Sequence, residues 1–60
     1  MYKVLIIEDE KPAAEWLSQL ILKYDPRITI LAVIDSVRGA KEWFEQHTAP
    51  DLAFMDIQLA

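Results

Sequence analysis

Acidic side chains follow the first and the last apolar run of this sequence, and they are the residues best suited to chemistry. Glu8 and Asp9 come directly after the first run, and Asp56 comes directly after the last one. Carboxylates held close together repel one another strongly unless a proton or a cation intervenes. Mg²⁺ relieves that repulsion, because it takes oxygen ligands and keeps several waters. These residues therefore predict a magnesium site at which Asp56, kept ionised, attacks a phosphoryl group as a carboxylate nucleophile.

Three short apolar runs, at residues 4–7, 28–34 and 52–55, are predicted to be strands. The first and third have the character of strands that are buried in a parallel sheet. Amphipathic segments separate the runs, so the order is strand, helix, strand, helix, strand. Strands that alternate with helices are typical of an α/β fold with a parallel sheet and right-handed crossovers.

The two helices are predicted from apolar residues at three- and four-residue spacing. Pro12 suits the first turn of helix one, and Asp25 ends that helix because it precedes a proline. Ser36 is the predicted N-cap of helix two, although Gly39 weakens its first turn. We expect Trp16, Trp43 and Phe44 to belong to the core rather than to form a platform for a ligand. The stripes comprise Ala13, Trp16, Leu17, Leu20, Ile21 and Tyr24 in helix one, and Val37, Ala40, Trp43 and Phe44 in helix two.

The predicted sheet brings the acids together only in one strand order. Ligands of open α/β sheets bind outside the carboxyl ends of the strands, where the strand order reverses. If strand one lies between strands two and three, that point falls between Asp9 and Asp56, on strands about 4.8 Å apart. An acid after a strand is often only a helix cap or a solvated turn, and for Glu10 we prefer that interpretation.

Length, charge and composition exclude several other classes. Sixty residues allow one domain at most, and a net charge of −4 with scattered Lys and Arg argues against nucleic-acid binding by this segment. No run is long enough to span a membrane. The lack of cysteine excludes disulfides and thiolate metal sites, and Gly39 as the only glycine excludes a dinucleotide fingerprint. His47, near the end of helix two, has no partner for a metal site.

Two segments resemble a known family. VLIIEDEKPAAEWL and APDLAFMDIQLA are similar to the first and third strand motifs of bacterial response-regulator receiver domains, in order and in spacing. The resemblance implies a flavodoxin-like (CheY-like) doubly wound parallel sheet of order 2-1-3-4-5. This chain would hold the βαβαβ half with order 2-1-3, so that residues 1–60 form a partial receiver (response regulatory) domain truncated after strand three.

The same resemblance implies a role for each site residue. Asp56 matches the phosphoacceptor and, with Asp9 and the backbone carbonyl of Gln58, ligates Mg²⁺, while Glu8 acts through water. The implied partner is a sensor histidine kinase of a cytoplasmic two-component system. The module phosphorylates itself from that donor and is not a turnover enzyme. Its output domain, outside this chain, would bind DNA, since DIQLA with an EDE first motif is similar to regulators of the LytTR-output subfamily.

Two alternatives stay open at this point. One is a magnesium-dependent phosphohydrolase with an Asp nucleophile, although that class favours Asp-x-Asp after strand one. The other is an interaction module that keeps the fold without phosphorylation.

The family's hydroxyl residue after strand four and its lysine after strand five would lie beyond Ala60. We therefore expect strand three to associate either with the missing half of the domain or with a second copy of the chain.

Overall fold

The computed structural model of the chain describes residues 2–55. Its elements are β1 (Lys3–Ile7), α1 (Lys11–Tyr24), β2 (Thr29–Ile34), α2 (Val37–Gln46) and β3 (Leu52–Met55). The three strands form one parallel sheet in the order β2-β1-β3. The predicted α/β architecture and the 2-1-3 order are thus confirmed. Neither helix in this part of the chain is long and apolar enough to cross a membrane.

The central strand β1 forms the core of the molecule. Its residues 4–7 are at most 1% exposed, as predicted for a strand that is buried on both faces. Successive side chains of a strand point to opposite faces of the sheet. Ile6 shares a buried cluster with Ile21 of α1, whereas Ile7 shares another with Ala40 of α2. The two helices therefore cover opposite faces.

The helix ends follow the local signals in the sequence. Helix α1 begins one residue before Pro12, and its C-cap is Asp25, whose N–H donates to the carbonyl of Ile21 at 3.0 Å. Ser36 is the N-cap of α2, because its Oγ accepts a hydrogen bond from the backbone N–H of Gly39 at 2.9 Å. Strand β2 begins at residue 29, one residue later than predicted.

The prediction that β3 is buried is wrong. All four of its residues are exposed, and Met55 reaches 58%. The cause is its position in the sheet, because β3 pairs with β1 along one edge and no residue between 2 and 55 pairs with the other. An apolar sequence makes a strand suitable for burial, but only a neighbouring element can cover it.

The expectation that the stripe aromatics belong to the core is also largely wrong. Trp16 is 64% exposed and Phe44 is 43% exposed, while Trp43 is half-buried against the α2-side cluster. The buried face of α1 runs through Ala14 and Ile21. Because an α-helix turns by about 100° per residue, Trp16 lies on nearly the opposite side of α1 from those two residues.

Candidate functional site

The carboxyl ends of the three strands meet at one edge of the sheet. Ile7, the last residue of β1, lies opposite Met55 of β3 and opposite Ile34 of β2. The next residue, Glu8, still donates its backbone N–H to the carbonyl of Ile34 at 2.8 Å. The ladder between β1 and β2 therefore continues for one residue beyond β1, and Asp9 begins the loop that leads to α1.

The first two acids after β1, Glu8 and Asp9, occupy different environments. Glu8 is half-buried, and its Oε2 accepts a hydrogen bond from the backbone N–H of Glu10 at 3.2 Å. Asp9 is exposed to solvent. The carbonyl of Glu10 accepts the N–H of Ala14 at 2.9 Å and so joins the loop to the first turn of α1. The loop backbone thus orients the Glu8 carboxylate, while solvent and its ions have access to Asp9.

The predicted metal set falls partly within the described residues. Glu8 and Asp9 lie at the carboxyl end of β1, next to the end of β3, as expected. Asp56 and Gln58 lie outside the described residues, since Met55 is the last of them. Between residues 2 and 55, no three His, Cys, Asp or Glu side chains are grouped so that they could hold a metal ion. The donor chemistry of Glu8 and Asp9 fits Mg²⁺, which prefers carboxylate oxygens and water.

A cavity of about 390 Å³ adjoins Glu8 at this edge, and it was not predicted from the sequence. Side chains of α1 and β3 form an apolar wall beside the Glu8 carboxylate. The alternation of side chains along a strand could have indicated this cavity. Position 8 lies two residues after Ile6, so it falls on the same face of the sheet, which α1 covers, and Phe54 of β3 lies opposite Ile6. The lining residues are Ile7, Glu8, Leu17, Phe54 and Met55.

A second unpredicted feature holds the register of β3. The backbone N–H of Lys3 donates to Asp51 Oδ2 at 2.7 Å, and the N–H of Asp51 donates to the carbonyl of Lys3 at 2.8 Å. This reciprocal pair joins the starts of β1 and β3. It places the Asp51 carboxylate at the edge of the sheet opposite to Glu8, so Asp51 is not part of the candidate site.

An ion pair also lies at that opposite edge. Arg27 donates to both carboxylate oxygens of Asp25, with Nε to Oδ1 at 3.0 Å and Nη2 to Oδ2 at 3.1 Å. The side-chain hydrogen bonds, followed by the backbone N–H of Arg27, lower the pKa of Asp25 below its usual value. Because Asp25 ends α1 and precedes β2, this perturbed carboxylate lies away from the acids at positions 8 and 9.

The remaining polar residues singled out in the sequence have structural positions. His47 follows α2, where its Nδ1 donates to the carbonyl of Trp43 at 2.9 Å and its ring stacks on the Trp43 ring at a centroid distance of 4.4 Å. Arg38 and Lys41 are exposed on α2, as predicted for a solvated helix face. None of these side chains lies on the loop that carries Glu8 and Asp9.

Comparisons of the chain with protein-family models, with curated proteins and with solved structures found no match. A functional assignment therefore rests on the fold, on the carboxylates at the carboxyl edge of the sheet and on the sequence motifs that surround them.

Proposed function

We propose that this chain is the N-terminal half of a flavodoxin-like receiver domain that accepts a phosphoryl group on Asp56. One observation carries the proposal, namely the parallel order β2-β1-β3 with Ile7 opposite Met55. Glu8 follows Ile7 in the sequence, and Asp56 follows Met55. This register supports a site that combines the acids after β1 with the acid after β3, at the edge where α/β sheets bind their ligands.

The carboxylates make the reaction dependent on a cation. A phosphoryl donor carries negative charge, and Glu8, Asp9 and Asp56 would repel it. In the proposed site, Asp9, Asp56 and the backbone carbonyl of Gln58 would hold Mg²⁺, and Glu8 would act through water. When bound, the ion would neutralise the charge on the incoming phosphoryl group. The hydrogen bond from Glu10 supports this secondary role for Glu8, since one of its carboxylate oxygens is already engaged.

The proposed step is a phosphoryl transfer from phosphohistidine of a sensor kinase. A carboxylate oxygen of Asp56 forms a bond to phosphorus as the P–N bond breaks. The imidazole nitrogen keeps the electron pair and takes a proton, and Asp56 becomes an acyl phosphate. With acetyl phosphate as donor, the P–O bond breaks instead and acetate leaves. The phosphorylated module would then control a DNA-binding output domain outside this chain, in the cytoplasm.

Intact-mass spectrometry of a full-length version of the receiver domain with acetyl phosphate tests this proposal. We expect one added phosphoryl group in the presence of Mg²⁺ and none with EDTA. Asp56→Asn should abolish the modification, whereas the matched control Asp51→Asn should retain it, because Asp51 lies at the other edge of the sheet. Modification that persists in Asp56→Asn would refute the assignment. Repeated turnover of a phosphate monoester by the chain would favour the phosphohydrolase instead.

A further inference from the structure

Asp51 joins the start of β3 to β1 through two hydrogen bonds with a single residue. Its Oδ2 accepts the backbone N–H of Lys3 at 2.7 Å, and its own N–H donates to the carbonyl of Lys3 at 2.8 Å. In a parallel ladder, the N–H and the carbonyl of one residue bond to two different residues of the neighbouring strand. The Asp51 carboxylate therefore takes the place of a backbone carbonyl at this rung of the ladder.

The apolar pattern of the two strands does not by itself fix their register. Residues 4–7 and 52–55 are apolar at every position. A slip by one residue moves every side chain of a strand to the other face of the sheet, and here it would exchange apolar residues only for apolar residues. Both runs keep this character whatever elements lie beyond β3. The register of β1 and β3 therefore needs a signal from outside the two runs.

The Asp51 side chain provides such a signal. A shifted β3 would present a neighbour of Asp51 to the N–H of Lys3, and neither Pro50 nor Leu52 has an acceptor in its side chain. The bond to Lys3 is also charge-assisted, because its acceptor is a carboxylate, and such hydrogen bonds are stronger than those between neutral groups. One register of β3 on β1 is thus favoured over its neighbours.

The register at this end of the sheet decides which residues meet at the other end. With Asp51 bonded to Lys3, Ile7 lies opposite Met55. Asp56 follows Met55 in the sequence, so a shift of β3 by one residue carries it along by about 3.3 Å relative to the acids after β1. A displacement of reacting groups by about 1 Å can lower a rate by about 10²-fold. Even a partial shift of β3 would therefore slow a reaction at Asp56.

We propose that Asp51 is a positioning residue for the phosphorylation of Asp56 and acts through the register of β3. This inference rests on the proposed function. Asp51 lies at the amino ends of β1 and β3, so it contacts neither the phosphoryl donor nor the metal. Its contribution is an oxygen that accepts the N–H of Lys3. An asparagine keeps such an oxygen at the same position, whereas an alanine does not.

The rate at which acetyl phosphate and Mg²⁺ phosphorylate a full-length version of the receiver domain tests this role. We expect Asp51→Ala to react at least about tenfold more slowly than the parent, and Asp51→Asn to react at nearly the parent rate. The matched control is Asp25→Ala, which loses two hydrogen bonds from Arg27 at the same edge of the sheet but lies between α1 and β2. It should also react at the parent rate.

A second variant removes the same hydrogen bond from the other strand. Lys3→Pro lacks the N–H that Asp51 accepts, and proline is tolerated at the first residue of a strand. This variant should react about as slowly as Asp51→Ala, and the double variant should be no slower than either single variant, because both remove one interaction. It also carries the test if Asp51→Ala loses the circular dichroism spectrum of the fold. Losses that multiply in the double variant would overturn the proposal.

Nuclear Overhauser effects between Ile6 and Phe54, which lie opposite each other, measure the register without phosphorylation. They should be weaker in Asp51→Ala than in the parent and in Asp51→Asn. A folded Asp51→Ala that reacts at the parent rate, or an equal loss of rate in Asp25→Ala, would refute the role of Asp51 alone. A parent domain that is not phosphorylated would instead refute the proposed function, and with it any role of Asp51 in that reaction.

Discussion

Replacement of Gly39 by alanine tests how α2 packs onto the sheet. Gly39 lies in the first turn of α2 and donates its N–H to the Ser36 cap. A Cβ at this position would lie 2.9 Å from Cγ2 of Ile34 and 3.1 Å from Oγ of Ser36. Both neighbours are constrained, because Ile34 packs against the buried cluster below α2 and the hydroxyl of Ser36 is the helix cap. The added methyl group must displace at least one of them.

One stabilising effect and two destabilising effects set the size of the change in the free energy of unfolding. Alanine in place of glycine inside a helix stabilises it by about 1 kcal/mol. Loss of an N-cap costs about 1 kcal/mol, and an extra methyl group in a packed site costs about 1–3 kcal/mol. We therefore expect Gly39→Ala to lower the free energy of unfolding by about 2 kcal/mol. Domains have roughly 0.05–0.15 kcal/mol of stability per residue, so this loss is a large part of the total for 60 residues.

Urea unfolding followed by far-ultraviolet circular dichroism measures the change. The protein concentration must be the same for all variants, because self-association would add to the apparent stability. Ser36→Ala provides the control, since it removes the cap and the 3.1 Å contact together. In that background, Gly39→Ala should cost about 1 kcal/mol less than it does alone. A Gly39→Ala variant that is more stable than the parent would show that helix propensity outweighs the close approach to Ile34 and would refute the reasoning.

Three further predictions concern the site, the core and the loop after α1. In a titration monitored by tryptophan fluorescence, Asp9→Ala should bind Mg²⁺ more weakly than the unmodified chain, whereas Glu10→Ala should not. Equal affinities of the two variants would contradict the proposed metal ligands. Ile6→Ala removes a side chain that is 0% exposed and should cost about 2–5 kcal/mol in urea unfolding. Arg27→Gln should raise the pKa of Asp25, measured by NMR titration, toward its usual value, because the side-chain hydrogen bonds from Arg27 that lower it are lost. Folding lowers the pKa of Asp25, so the ion pair stabilises the fold at a pH above the pKa that Asp25 has in the unfolded chain. This stabilisation is lost as the pH falls through the pKa of Asp25 in the folded chain. An unchanged titration of Asp25 in the variant would contradict this role of Arg27.

Local signals in the sequence were sufficient for the elements and for most of their ends. Apolar periodicity indicated three strands and two helices, and Asp25 and Ser36 marked helix ends that the structure confirms. These features depend on residues within one or two turns of one another, so a single sequence contains the information. The acids at positions 8 and 9 were likewise predicted at the carboxyl end of β1, because they follow directly after its apolar run.

Burial depended on contacts that no local pattern contains. The apolar residues of α1 span more than half of its circumference, so the sequence could not show that Ala14 and Ile21 would face the sheet while Trp16 faced solvent. Residues 52–55 have the composition of a buried strand, yet they are exposed because, between residues 2 and 55, β3 pairs only with β1. Burial is a property of the neighbouring elements as much as of the side chain itself.

Only the tertiary structure brings the carboxyl ends of β1 and β3 next to each other at the candidate site. From the sequence, the meeting of the acids depended on strand one lying between strands two and three, and only the pairing of the strands establishes that order. The register of β3 is supported by hydrogen bonds between Lys3 and Asp51, which are 48 residues apart. The sequence specifies which residues carry carboxylates. Which carboxylates become neighbours is decided by hydrogen bonds between segments that the chain itself keeps far apart.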